Sequence, residues 1–216
     1  MRKYITEFIG TFFLVLTIGM TVIGGKGDFA PIAIGAILMA MIFAGGYISG
    51  AHYNPAVTLA VLIRGKISVA DAAAYMIVQI AGASAAGLVV DYMAGETVTN
   101  AIAIADTTRG IIGELAGTFA LAFVVLNTAT AVGTSGNSFY GLAIGFTVLS
   151  MAYAFGGISK GAFNPAVAIS LSVMNFAPWS DIWVYIVGCF SGGALAAIAF
   201  RFINNEDKPP AVKTRA

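Results

Sequence analysis

The chain has 216 residues, 59% of them hydrophobic and only 10% charged, with a formal net charge of +1 and a mean hydropathy of +0.90. A soluble domain carries about 25% charged residues, so the composition excludes one and requires a membrane protein; the near-zero charge, with no basic stripe, excludes a nucleic-acid binder. A single cysteine, Cys189, and a single histidine, His52, exclude an intrachain disulfide and a cysteine- or histidine-based metal cluster, and no glycine-rich phosphate loop occurs, Gly65-Lys66 being too short a match.

Arg2 and Lys3 precede an apolar run from Ile5 to about Ile23. The run is too long for the core of a signal peptide and has no small-x-small cleavage site, so it reads as span one. Span two runs from Ile32 to about Ile48, after a turn at Asp28-Phe29-Ala30-Pro31. Asn54 to about Ile63 is too short to cross a bilayer, which takes about 20 residues. It reads as a half-helix that enters the membrane and stops at Arg64-Gly65-Lys66. Span three covers Ala70 to about Val90, and a loop follows from Tyr92 to Thr108. Span four covers Gly110 to about Val132, and span five Phe139 to about Phe155. Asn164 to about Met174 is a second half-helix, and Ile182 to about Phe200 is span six. The polar stretch from Asn204 to Ala216, with Pro209-Pro210, is expected to be a disordered tail. The predicted fold is an all-α integral membrane protein: one transmembrane domain over 1–203, with six spans and two re-entrant half-helices.

The stretch that organises the chain occurs twice, as Gly50-Ala51-His52-Tyr53-Asn54-Pro55-Ala56-Val57 and as Gly161-Ala162-Phe163-Asn164-Pro165-Ala166-Val167. Asn is a strong N-cap because its side-chain oxygen accepts a free backbone N–H of the first turn. Pro suits the first helical position, where its missing N–H is not needed. Each Asn-Pro-Ala therefore starts a short helix, with its amide and its positive dipole end aimed at one point. Two such starts in a membrane chain point to a pore or binding site at mid-depth.

The halves repeat each other. Glu7-x-x-Gly10-Thr11-Phe12-x-Leu14 matches Glu114-x-x-Gly117-Thr118-Phe119-x-Leu121, and Tyr75 and Gly82 match Tyr185 and Gly192. Repeat one covers about 4–92 and repeat two about 109–202. Three spans per half place the second half upside down, an inverted 3+3 repeat whose site lies at the interface of the repeats. With the N-terminus inside, eight basic residues (Arg2, Lys3, Arg64, Lys66, Arg201, Lys208, Lys213, Arg215) are cytoplasmic and three (Lys26, Arg109, Lys160) are outside. That split places both termini in the cytoplasm. Gly46-xxx-Gly50, Gly113-xxx-Gly117, Gly141-xxx-Gly145 and Gly157-xxx-Gly161 predict close helix packing.

Asn54 and Asn164 are the leading functional candidates: each amide NH₂ can donate to a solute while its oxygen caps a half-helix. Glu7 and Glu114 lie inside spans, where a carboxylate is functional by default. A proton relay is one reading. Their symmetric duplication favours the other, in which each accepts hydrogen bonds from half-helix backbone and steadies it. His52 reads first as a residue that holds its loop by hydrogen bonds, with gating by protonation as the alternative. Gln79 is expected to bond another helix, and Cys189, at the equivalent place in span six, to be a packed thiol.

These motifs together resemble the aquaporin, or major intrinsic protein, family, over about Thr6 to Phe202. The paired Asn-Pro-Ala, the Glu-x-x-Gly-Thr-Phe starts and Ser49-Gly50-Ala51-His52-Tyr53-Asn54-Pro55-Ala56-Val57-Thr58 carry the resemblance. It implies a right-handed bundle, a homotetramer with one pore per subunit, and passive flow of water or small neutral solutes with protons excluded. One departure matters: family members usually carry Arg directly after the second Asn-Pro-Ala, and here Val167 stands there. In the family that Arg belongs to a four-residue outer constriction. Counted from the motifs, the other positions are Ile34, Ala152 and Gly161; a shift of one residue would bring in Tyr153. The ring lacks the Arg and His typical of strict water channels. It also lacks the aromatic pair of glycerol channels and their Asp after the motif, where Ala168 stands. A pore broader than a strict water channel is therefore expected, passing water, glycerol, urea, ammonia or neutral metalloid hydroxides. Lys160 reads first as a solvated loop lysine, with a cation at the outer mouth as the alternative. Without a substitute for the Arg, some cation leak is expected.

The competing readings are an ion-coupled secondary transporter that uses Glu7 or Glu114, and a structural membrane protein with a closed pore. No nucleophile–base pair or metal cluster supports an enzyme, and no cofactor is expected. Short loops suit a bacterial inner membrane, with membrane lipid as the surrounding partner.

Overall fold

A computed structural model describes residues 1–23, 25, 27–95 and 101–204, and all structural statements concern these. The expected disordered tail lies outside the described residues, apart from Asn204. The elements are eight α-helices: α1 (Arg2–Ile23), α2 (Ala30–Ser49), α3 (Pro55–Ile63), α4 (Val69–Ala94), α5 (Thr107–Val125), α6 (Tyr140–Ser159), α7 (Pro165–Val173) and α8 (Ile182–Ile203). Six segments are long and apolar enough to cross a membrane. The nine-residue helices α3 and α7 are not.

Local chemistry sets the helix ends. Asn54 and Asn164 cap α3 and α7 from extended backbone, with Pro at the first helical position of each. Ser68 and Asp106 cap α4 and α5 by accepting the N–H of Asp71 and Arg109. α2 ends at Gly50 in the left-handed region, φ +88°, whose N–H bonds the carbonyl of Gly46. α6 ends in the same way at Lys160, φ +69°, on the carbonyl of Gly156.

Two ends differ from expectation. Span five does not stop at Phe155; α6 runs through Gly156 and Gly157 to Ser159. Span four leaves α geometry at Val125 and continues as a π turn over Leu126–Thr130. There Asn127, Thr128 and Thr130 each bond a carbonyl four residues back with the side chain, which competes with the regular ladder.

The packing repeats between halves. α1 packs on α2 and α4, α5 packs on α6 and α8, and α2 crosses α6 at the centre. Each half-helix packs more extensively on the last span of the other half than on its own: α3 on α8, and α7 on α4. Gly82 and Gly192 let the long pairs approach. A Cβ at Gly82 would lie 2.5 Å from the carbonyl oxygen of Phe8, and one at Gly192 would lie 2.5 Å from that of Leu115. Both obstacles are backbone, which cannot turn aside. Gly192→Val is expected to lower stability by about 3 kcal/mol, measured as an earlier melting transition in detergent. An unchanged transition would contradict this contact. One expected packing pair behaves otherwise: a Cβ at Gly157 would meet nothing within 4 Å, and both Gly157 and Gly161 face the central cavity.

Candidate functional site

The two half-helices meet at their N-termini. The Asn54 side-chain oxygen accepts the N–H of Ala56 at 2.8 Å, and that of Asn164 accepts the N–H of Ala166 at 2.9 Å. Each amide nitrogen then crosses to the other half. Nδ2 of Asn54 donates to the carbonyl of Phe163 at 2.8 Å, and Nδ2 of Asn164 donates to that of Tyr53 at 2.9 Å. The two motifs are sewn together by one reciprocal pair. An amide NH₂ has two donors, so this pair uses one on each Asn.

The loops that lead into the half-helices are held by the duplicated carboxylates. Glu7 Oε1 accepts from Ser49 Oγ at 2.6 Å and from the N–H of His52 at 3.0 Å. Its Oε2 accepts from the N–H of Tyr53 at 2.7 Å and from Gln79 Nε2 at 2.8 Å. Glu114 repeats the pattern with Ser159 Oγ at 2.6 Å, Ala162 N–H at 3.0 Å and Phe163 N–H at 2.6 Å. Its fourth donor is the Cys189 thiol, at 3.4 Å. Both carboxylates are fully buried, and neither lines the cavity. The backbone they hold is the approach loop, one step before the half-helix itself. The motif glycines make the seat: a Cβ at Gly10 or Gly117 would collide with the ring of Tyr53 or Phe163.

His52 Nδ1 lies 3.1 Å from Thr58 Oγ1, and its ring meets Tyr75 edge-on at 5.2 Å. It also sits where two cavities adjoin. The main cavity, about 490 Å³, and a second cavity of about 450 Å³ share His52 and Val125 in their walls.

One side of the main cavity is greasy and regular. Leu14, Ile18 and Val22 of α1, Ile34, Leu38 and Ile42 of α2, and Ile144, Val148 and Ala152 of α6 each recur every four residues along one helix face. The other side is polar: Asn54, Asn164 and the loops 51–53 and 160–163. All four residues counted for the outer constriction, Ile34, Ala152, Gly161 and Val167, line this cavity, Ile34 and Ala152 on its apolar side, and Tyr153 lines it too. Tyr153 lies at the rim, where its hydroxyl donates to the carbonyl of Asp28 at 2.7 Å. Lys160 differs from the solvated lysine expected: it is half-buried on the cavity wall. Its backbone is left-handed, as are Ala51, Tyr53 and Phe163 in the same loops. Such a conformation costs a non-glycine residue about 1–3 kcal/mol.

A family model described as "Major intrinsic protein" matches residues 1–200. The chain belongs to the major intrinsic protein family. Among its relatives, "Glycerol uptake facilitator protein-like 6" of Lactiplantibacillus plantarum is 37% identical over 96% of this chain and 100% of its own length. "Aquaporin NIP1-1" of Zea mays is 33% identical over 96% of this chain and 77% of its own. Among solved structures, the aquaglyceroporin from Plasmodium falciparum superposes with a TM-score of 0.71, at 19% identity, over 95% of this chain and 98% of that one. At that identity the superposition speaks for the fold. As a major intrinsic protein the chain is an integral membrane protein of six spans and two half-helices.

Two residues of this site, Ser49 and Ser159, had no role assigned from the sequence, and two others, Gln79 and Cys189, were expected only to bond another helix and to pack. Ser49 and Ser159 anchor both loops, and their signal was present in the duplicated Ile-Ser before each motif. Gln79 and Cys189 are equivalent positions that serve equivalent carboxylates. An amide and a thiol share no sequence signature. The repeat relates their positions, and their common donor role is seen only in three dimensions.

Proposed function

We propose that this chain is a passive channel for water and small uncharged solutes, with the central cavity as its pore. One observation carries the reading: two opposed helix N-termini, sewn Asn54 to Phe163 and Asn164 to Tyr53, stand on the wall of a cavity whose other side is apolar. Each N-terminus carries roughly half a positive charge. That field repels cations and protons and leaves neutral solutes alone. The second N–H of each Asn donates to a passing solute oxygen, while the greasy wall offers nothing that would hold it. The relatives' names, a glycerol uptake facilitator and an aquaporin, support the same reading.

Ile34, Ala152, Gly161 and Val167 form the outer selectivity filter. Their small and aliphatic side chains make it wide, and glycerol, urea, ammonia and neutral metalloid hydroxides pass along with water. Glu7, Glu114 and His52 support the loops. Saturation of both carboxylates by hydrogen bonds, away from the cavity, favours this role over proton coupling. The subunit sits in a bacterial inner membrane with both termini cytoplasmic, and assembles as a homotetramer with one pore per subunit; the Lactiplantibacillus relative supports the bacterial setting.

Proteoliposomes shocked with sucrose test the reading. Shrinkage well above that of empty vesicles, unsaturated and indifferent to a proton gradient, is expected. Solute flux that saturates and follows the gradient would favour a coupled transporter instead.

A further inference from the structure

We propose that Lys160 supplies the fixed positive charge of the outer pore, and that it excludes cations in place of the arginine absent at Val167. The inference rests on the channel reading above and names the residue that guards it.

Lys160 is placed for this. It is half-buried, and it lines the same cavity as Gly161, Asn164 and Val167. Among the described residues its ammonium has no ion-pair or hydrogen-bond partner. The Asp181 carboxylate acts on it electrostatically but forms no ion pair with it and accepts the N–H of Ile104, so the charge is offset only in part and remains available to the pore. Gly156 and Gly157, one turn back on α6, also line the cavity, and a Cβ on either would meet nothing within 4 Å. They leave open space beside the stem of Lys160.

The repeat sharpens the point. Lys160 stands four residues before Asn164, as Gly50 stands four before Asn54. Both residues end a long helix in the left-handed region, at φ +69° and φ +88°. That region suits glycine and strains lysine. At the inner copy the chain uses the unstrained residue. At the outer copy it keeps a lysine in a strained place, on the wall of the cavity. A strained residue beside a pore points to a role in it.

The charges around Lys160 allow the role. The one acidic side chain on this cavity wall, Asp28, is exposed at the outer rim, in the loop bonded by Tyr153. Solvent screens a rim charge within about 10 Å, whereas a half-buried charge beside the polar loop acts on the narrow path. A cation that enters meets Lys160 first and the two half-helix dipoles next, all of one sign.

The test is sodium flux into proteoliposomes loaded with a sodium-sensitive dye, with osmotic water flux measured on the same preparations. Wild type and Lys160→Arg are expected to be sodium-tight. Lys160→Gln and Lys160→Gly are expected to admit sodium roughly tenfold faster or more, with water flux within about twofold of wild type. Lys160→Gly also removes the backbone strain, so its melting transition should be no lower than that of wild type, which separates a leak from misfolding. Neutral variants that carry water yet stay as sodium-tight as wild type would overturn this inference alone. A wild type as leaky to sodium as its variants would do the same. A wild type without water flux would overturn the channel reading and this inference with it.

Discussion

Replacing Glu7 by leucine is expected to abolish assembly of the folded channel. Leucine fits the space but accepts nothing. Four donors lose their acceptor at once: Ser49 Oγ, the N–H groups of His52 and Tyr53, and Gln79 Nε2. The serine and glutamine can rotate toward other oxygens, and Gln79 already lies 3.0 Å from Thr58 Oγ1. The two backbone N–H groups cannot turn away, since their loop is fixed on one side by the Asn54 cap and on the other by the tyrosine ring seated at Gly10. A buried donor left unsatisfied costs about 1–3 kcal/mol. The two stranded N–H groups cost about 2–6 kcal/mol and all four donors at most about 4–12 kcal/mol, against a typical total stability of about 5–15 kcal/mol. Glu114→Leu is expected to lose less, because its fourth donor is a weak thiol. Glu7→Gln keeps one acceptor oxygen and should fall between wild type and Glu7→Leu. The yield of monodisperse protein in detergent, followed by its melting transition, is the check. A Glu7→Leu protein that purifies and melts like wild type would contradict the support role of the carboxylate.

Val167→Arg is expected to convert a permissive filter into a strict one. Val167 follows the second Asn-Pro-Ala and faces the cavity together with Gly161 and Ala152. Arginine there adds a bulky side chain, a fixed charge and five N–H donors. Water, which is small and hydrogen-bonds in every direction, still passes. Glycerol has to fit its carbon backbone through a smaller opening, and its flux should fall by roughly tenfold or more, an added barrier of about 1.4 kcal/mol. The ratio of glycerol to water flux in the same vesicles reads this directly. An unchanged ratio would mean that Val167 does not stand at the narrowest point of the pore.

Much of this was legible in the sequence because short-range chemistry wrote it. The half-helices announced themselves by Asn and Pro at fixed positions, and both begin where that chemistry places them. The spans followed from apolar length, and the duplication of Glu7 and Glu114 pointed to the support role proposed for them. What escaped depends on contacts between segments far apart in the chain. No spacing rule shows that the Asn54 amide reaches the carbonyl of Phe163, because the two lie 109 residues apart. Packing of α3 on α8 and of α7 on α4, across the repeats, is a tertiary choice of the same kind. The end of α6 was misplaced because Gly156-Gly157 looks like a break; the cavity, which needs no side chain there, explains the glycines. The π turn after Val125 was missed because hydropathy continues through it, while three polar side chains bend the ladder.

The proposed pore is open and wide enough for a polyol. Stopped-flow light scattering on proteoliposomes shocked with glycerol tests it most directly. Fast shrinkage is expected as water leaves, followed by fast reswelling as glycerol and water enter. Fast shrinkage without reswelling beyond that of empty vesicles would contradict it, and would mean that the ring of Ile34, Ala152, Gly161 and Val167 is narrower than its side chains imply.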